Sequence, residues 1–141
     1  MPVVSRSYQK NVVSLIYYHS TTVRRYTTSM QELSVIQRTQ ELYIACGPII
    51  EKLPSLSKQT LGRRVEDTLL NTLECFVMAK HAPKSHKVVY LLKATAQLEL
   101  LQFHLRLLLQ KKLANETTLH QLQSKVSEIG RMTGGWLKST Q

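Results

Sequence analysis

The chain has 141 residues, 43% of them hydrophobic, with 5 Gly and 4 Pro; this is the length of one domain, with enough apolar mass for a core and too few turn residues for an all-β fold. Its 19 Lys+Arg stand against 9 Asp+Glu, a net charge of +10, which points to a polyanionic partner, nucleic acid before an acidic membrane. No apolar run is long enough to span a bilayer, and Cys46 and Cys75 stand alone without CxxC or other regular spacing, as expected of reduced core thiols in a cytoplasmic protein.

Residues 1–29 are rich in Ser, Thr and Tyr, basic and free of acids. Their short apolar patch from Val12 to Tyr18 lacks a credible small-residue cleavage site, so no secretory signal is expected. Three readings stay open: a basic arm that touches nucleic acid, a stretch outside a native start at Met30, or an element ordered only in an assembly. We expect disorder in the free protein, and assign residues 30–141 to the folded domain.

A first helix is predicted from about Gln31 to Leu53, with Leu33, Ile36, Tyr43 and Ile50 at 3/4 spacing. Pro48 should kink it, and Leu53-Pro54-Ser55 should end it. A second helix is predicted from about Ser57, as N-cap, to Lys80. Leu61, Val65, Leu69, Thr72 and Phe76 form its core stripe, widened by Leu70, Leu73 and Val77. The turn His81-Ala82-Pro83-Lys84-Ser85 leads into the third.

The third helix, residues 87–112, is apolar on two faces. Leu91, Ala94, Leu98, Leu101, Leu105 and Leu108 make one stripe. Val89, Leu92, Ala96, Leu100, Phe103 and Leu107 make another, roughly 170° away at 100° per residue. An ordinary surface helix buries one such stripe, so this one needs a core side and a partner side. Lys84, Lys87, Lys93, Arg106, Lys111 and Lys112 surround it, against Glu99 alone. Nine of the ten excess charges lie in residues 1–30 and 82–114. A charge serving only solubility would be spread more evenly.

The fourth helix carries Leu119, Leu122, Val126, Ile129, Thr133 and Trp136 on one stripe. Thr118-Leu119-His120-Gln121 fits a capping box, and Gly130 and Gly134 should let a neighbouring backbone come close. Four helices of about twenty residues with short connections give an all-α, up-down-up-down four-helix bundle.

Catalytic patterns are missing. There is no GxxxxGK[ST], GxGxxG, GxSxG or HExxH, and the acids are scattered. His81 and His86 have no second pair at ligand spacing, so no metal is expected. His104 shares a polar edge with Lys93, Gln97 and Lys111, where it either meets a phosphate or is a surface histidine. Arg106, on the opposite edge near Glu99, Gln102 and Gln110, offers a guanidinium fork for phosphate or carboxylate, or else makes an intrahelical contact with Gln102 or Gln110 or a salt bridge across subunits to Glu99. The lysines matter together, because phosphate neutralisation sums over contacts. We therefore expect no enzyme, no cofactor and no small-molecule substrate.

The run Leu100-Leu101-Gln102-Phe103-His104-Leu105-Arg106-Leu107-Leu108 resembles the third helix of Avd, the accessory variability determinant of diversity-generating retroelements. Ser127-Glu128-Ile129-Gly130-Arg131-Met132-Thr133-Gly134-Gly135-Trp136-Leu137 resembles that family's Val-Gly-Arg-x-x-Gly-x-Trp ending, and Arg63 to Leu70 fits its second helix loosely. The resemblance covers about residues 31–138. It implies a four-helix bundle assembled as a basic, barrel-like homopentamer. It implies binding to the retroelement reverse transcriptase and to nucleic acid, template RNA above all and DNA besides, in support of mutagenic retrohoming, without catalysis. Arg106 matches the second basic position of the family's third-helix motif, and Arg131 the Arg of its fourth. Gln102 stands where some members have a first Arg. The ring gives Leu92, Ala96, Leu100, Phe103 and Leu107 a role as oligomer interface. The bundles encoded in ribosomal-RNA intervening sequences share the fold, but their Arg-Ala-x-x-Ser-Ile-x-x-Asn run is absent. The alternative is a structural scaffold whose third helix docks another protein, without nucleic-acid function.

Overall fold

The computed structural model describes residues 30–141; the arm, with its interleaved tyrosines and cations, lies outside them. Four long helices account for the described residues, which contain no strand. They are α1 (30–51), α2 (Arg63–His81), α3 (Lys84–Gln110) and α4 (Glu116–Thr140). A short α-turn, Ser55–Ser57, and a π-helical turn, Lys58–Gly62, lead into α2.

Successive helices pack side by side. α3 is flanked by α2 and α4. α1 returns to α4 through Arg38, whose Nε lies 3.9 Å from the Glu128 carboxylate. It meets the start of α2 at Gly62, where a Cβ would stand 3.2 Å from both Ile50 Cγ2 and Leu53 Cδ1. The core draws Val35, Leu42, Cys46 and Ile50 from α1, and Val65, Leu69, Phe76 and Ala79 from α2. α3 supplies the stripe from Leu91 to Leu108, and α4 the predicted stripe from Leu119 to Trp136. Trp136 is fully buried and stacks on Phe76, with centroids 6.1 Å apart.

Threonines are a regular part of this core. Thr39, Thr68, Thr72 and Thr133 are buried, and each hydroxyl donates to the carbonyl four residues back, at 2.6–2.8 Å. The polar atom is satisfied within its own helix, so the methyl is free to pack.

Several local expectations are corrected. The inward face of α1 is Val35, Thr39, Leu42, Cys46 and Ile50; Leu33 and Tyr43 are exposed, and Ile36 is only half-buried. Thr39 reads as polar in sequence but packs as an apolar residue once its hydroxyl closes on Val35. Pro48 lies inside α1, which stays helical to residue 51, so the proline does not break the helix. Ser57 is no cap: its backbone is already helical, and the turn begins three residues earlier, at Pro54, whose carbonyl accepts from the Lys58 amide at 2.8 Å. Leu70 and Val77 are exposed rather than part of the core. The cap of α4 is Asn115, whose side chain accepts from the Thr118 amide at 3.1 Å, so Thr118 lies inside the helix. Gly130 and Gly134 have open space where a Cβ would stand.

Just past the end of α3, Lys112 has a left-handed φ of 54°. The Leu113 amide reaches back to the Leu108 carbonyl and the Lys112 amide to that of Leu109, both at 3.0 Å. This is a Schellman closure with lysine where glycine is usual.

Candidate interaction surface on the third helix

The bundle decides between the two apolar stripes of α3. Leu91, Ala94, Leu98, Leu101, Leu105 and Leu108 are buried. Val89, Leu92, Leu100 and Phe103 are 47–52% exposed, Ala96 is exposed and Leu107 half-buried. The outer stripe is therefore a continuous apolar strip on the surface of one chain. Scattered exposed apolar residues are normal, whereas contiguous patches mark interaction sites.

Two polar edges bound the strip. On the α4 side, the Gln102 amide donates to the Gln123 carbonyl at 2.8 Å and to Ser127 Oγ at 3.1 Å. This clips α3 to α4, and no hydrogen bond joins Gln102 to Arg106 among the described residues. The Arg106 guanidinium is exposed and lies 5.8 Å from the centroid of Phe103. It has no hydrogen bond or ion pair among the described residues. A planar cation beside an exposed ring keeps its donors pointed at solvent.

On the α2 side lie Lys93, His104 and Lys111. Lys93 is exposed, with its ammonium 5.8 Å from the Tyr90 ring; Lys111 is exposed too. His104 is half-buried, and its Nδ1 is enclosed without a hydrogen-bond partner. Burial, and then the nearby Arg64 charge, hold its pKa below the ordinary 6.5. It is neutral at pH 7 and adds no charge to this edge.

The remaining predicted cations divide. Lys84, Lys112 and Arg131 are exposed. Lys87 is turned inward: its ammonium donates to the carbonyls of Ala79 (2.9 Å) and Lys80 (3.1 Å) and to the Glu32 carboxylate (3.4 Å). It also lies 6.0 Å from the Trp136 ring. Three donors used in this way, on the carbonyl end of α2, make Lys87 a structural tie among all four helices rather than a contact for an outside anion.

Arg63, on the solvated face of α2, and Arg64 are not among the site residues expected from sequence. They line an open hollow of about 510 Å³ on α2 with Gln59, Thr60, Leu61 and Asp67. The adjacent arginine pair was the visible signal, but its setting depends on the π-helical turn. Cys46 is buried, and burial, opposed by Lys125, pushes its thiol up to about 12. Burial and the Glu74 charge raise Cys75 as well, against the opposing charge of Lys93. Neither thiol is a ready nucleophile. Among the described residues no three His, Cys, Asp or Glu side chains are grouped to hold a metal, and no helix is long and apolar enough to cross a membrane.

A family model described as bAvd-like matches residues 33–140. The chain belongs to the bAvd-like family. No curated protein matches it. Among solved structures, a protein of unknown function from the S23 ribosomal protein family of Bacteroides thetaiotaomicron VPI-5482 is similar, with a TM-score of 0.70 and 13% identity. The match covers 77% of this chain and 98% of that one. At that identity the likeness concerns the fold alone. In this bAvd-like chain the matched span holds all four helices, and with them the exposed strip and both of its edges.

Proposed function

We propose that this bAvd-like protein is a non-catalytic accessory protein of a retroelement reverse transcriptase. It assembles as a homopentamer, binds the polymerase and template RNA, with DNA as a second nucleic-acid ligand, and supports mutagenic retrohoming in the cytoplasm. The observation that carries this reading is the outer face of α3: an apolar strip with nowhere to go in one chain, edged by Lys93 and Lys111 on one side and Arg106 on the other.

Burying the strip between copies removes the apolar surface from water and leaves the exposed cations Lys84, Lys93, Arg106, Lys111, Lys112 and Arg131 available to phosphate or to the polymerase. Lys87 drops out of this set because its donors are satisfied inside the bundle.

The test joins assembly to nucleic-acid binding. Light scattering on the full chain should give the mass of a pentamer; a monomer would defeat the assembly. Binding to a single-stranded RNA should weaken steeply with salt, with a log–log slope of about −4 if all six exposed cations of one copy meet phosphate. A Lys93→Glu, Arg106→Glu variant that assembles and binds like the parent would reject the surface. Co-expression with a diversity-generating retroelement reverse transcriptase should yield a stable complex. A heteromer with another protein and no RNA affinity would favour the scaffold alternative.

A further inference from the structure

Besides the outer strip of α3, the bundle leaves a second apolar surface, on α1 and α2. Ile44 of α1 is 73% exposed and Leu33 52%, and Leu70 and Val77 of α2 are exposed too. Arg38 marks the side of α1 that meets α4; Leu33 and Ile44 lie about 120–140° around the helix from it. Arg64 and Cys75, whose surroundings include His104 and Lys93, mark the side of α2 that meets α3; Leu70 and Val77 lie about 120–160° around the helix from them. Both pairs therefore face outward beside the α1–α2 seam, away from the α3 strip.

Charge divides the bundle in the same way. Residues 30–81, with α1 and α2, hold six acids and six Lys+Arg; residues 82–141, with α3 and α4, hold three acids and nine Lys+Arg. Exposed Glu51 continues the Leu33–Ile44 line, and exposed Glu74 lies between Leu70 and Val77 in the chain. A cationic segment with apolar side chains is therefore repelled by the α3–α4 half and admitted by the α1–α2 half. This chain contains such a segment. Residues 1–29 carry Arg6, Lys10, Arg24 and Arg25 with no acid, and their apolar patch runs from Val12 to Tyr18. A segment of this kind buries too little apolar surface to order itself and needs a surface to settle on. It also joins the bundle at the edge of this face. α1 begins at residue 30, three residues before Leu33, and Ile44 lies about 21 Å along the helix from that end. Residues 19–29 extend to about 36 Å, so the Val12–Tyr18 patch reaches both ends of the face.

We infer that the arm of residues 1–29 folds back on its own bundle, with the Val12–Tyr18 patch seated on the Leu33–Ile44 and Leu70–Val77 face. The apolar contact holds the arm. The charges add little to affinity but select this face over the cationic strip of α3. The arm covers the second apolar surface within one chain and leaves the outer strip of α3 open to other molecules. This contact does not depend on association between copies.

Hydroxyl-radical footprinting of the full chain reads both sides of the contact. Tyr17 and Tyr18 should lose most of the labelling that they show in a free peptide of residues 1–29. The arm variant Val13→Glu, Ile16→Glu should raise labelling at Ile44 and Leu70. The face variant Ile44→Glu, Leu70→Glu should restore it at Tyr17 and Tyr18. If the face variant is not helical by circular dichroism, Leu33→Glu, Val77→Glu replaces it. The α3 variant Leu92→Glu, Leu100→Glu should leave the tyrosines protected. Tyrosines labelled in the parent as in the peptide, or still protected in the face variant, overturn the contact. Protection lost on dilution puts the arm on a second copy, protection seen only with added RNA puts it on nucleic acid, and protection lost in the α3 variant puts it on α3; each overturns the contact as well. A pentamer that binds RNA with its arm unprotected overturns this contact alone and leaves the proposed function standing.

Discussion

Lys87 shows how far one side chain's role depends on its surroundings. Its stem crosses from α3 to the carbonyl end of α2, where it meets Ala79, Lys80 and Glu32 above the ring of Trp136. Replacing it with Met keeps the stem but removes the donor that it gives to the two carbonyls and to the buried Glu32. We expect Lys87→Met to lower stability by about 1–3 kcal/mol, read from urea denaturation. An exposed cation such as Lys84 replaced in the same way should change it by less than about 0.5 kcal/mol. Lys112 has the opposite character. It is held in a left-handed backbone that disfavours any side chain, so Lys112→Gly should raise stability by about 0.5 kcal/mol or more. His104 supplies a pH effect. Its folded pKa is lowered below 6.5, so the unfolded chain takes up the proton first on acidification. Its contribution is fully present above pH 6.5 and is lost as the pH falls through the folded value. Tm should drop in that interval, and His104→Gln should remove this part of the drop.

At the level of the helix, the informative comparison is between neighbours on α3. Leu101 is fully buried and Leu100 is 47% exposed. Leu101→Ala should cost about 2–5 kcal/mol in the isolated chain, as core truncations do. Leu100→Ala should leave the isolated chain within about 0.5 kcal/mol of the parent and weaken assembly instead. Denaturation at low protein concentration, with light scattering at high concentration, separates the two effects. The periodicity of α4 was readable because it carries one apolar stripe and a polar remainder, and that stripe is buried as expected. α1 was misread because its inward line contains Thr39 and Cys46 while its outward line carries Leu33, Tyr43 and Ile44. Residue type suggested the wrong face, since a threonine hydroxyl that bonds its own helix costs little to bury and an exposed isoleucine costs little to display.

At the level of the whole molecule, four helices with connections of a few residues and a thoroughly apolar third helix are properties of the linear sequence, and so is the excess of cations around that helix. These followed from the periods and from the scarcity of turn residues, and they were enough to indicate a bundle with a surface to spare. Which α3 stripe turns inward was not readable. Both stripes are equally apolar, so nothing within α3 distinguishes a side for the core from a side for a partner. The choice comes from α2 and α4, which pack on either side of α3, the latter clipped to it through Gln102, and so direct Leu101 inward and Leu100 outward. The withdrawal of Lys87 from the cation set was equally hidden, because it depends on Glu32 and Trp136, which lie far from Lys87 in the chain. Sequence determined the helices and their composition; only tertiary packing decided which faces of those helices remain for other molecules.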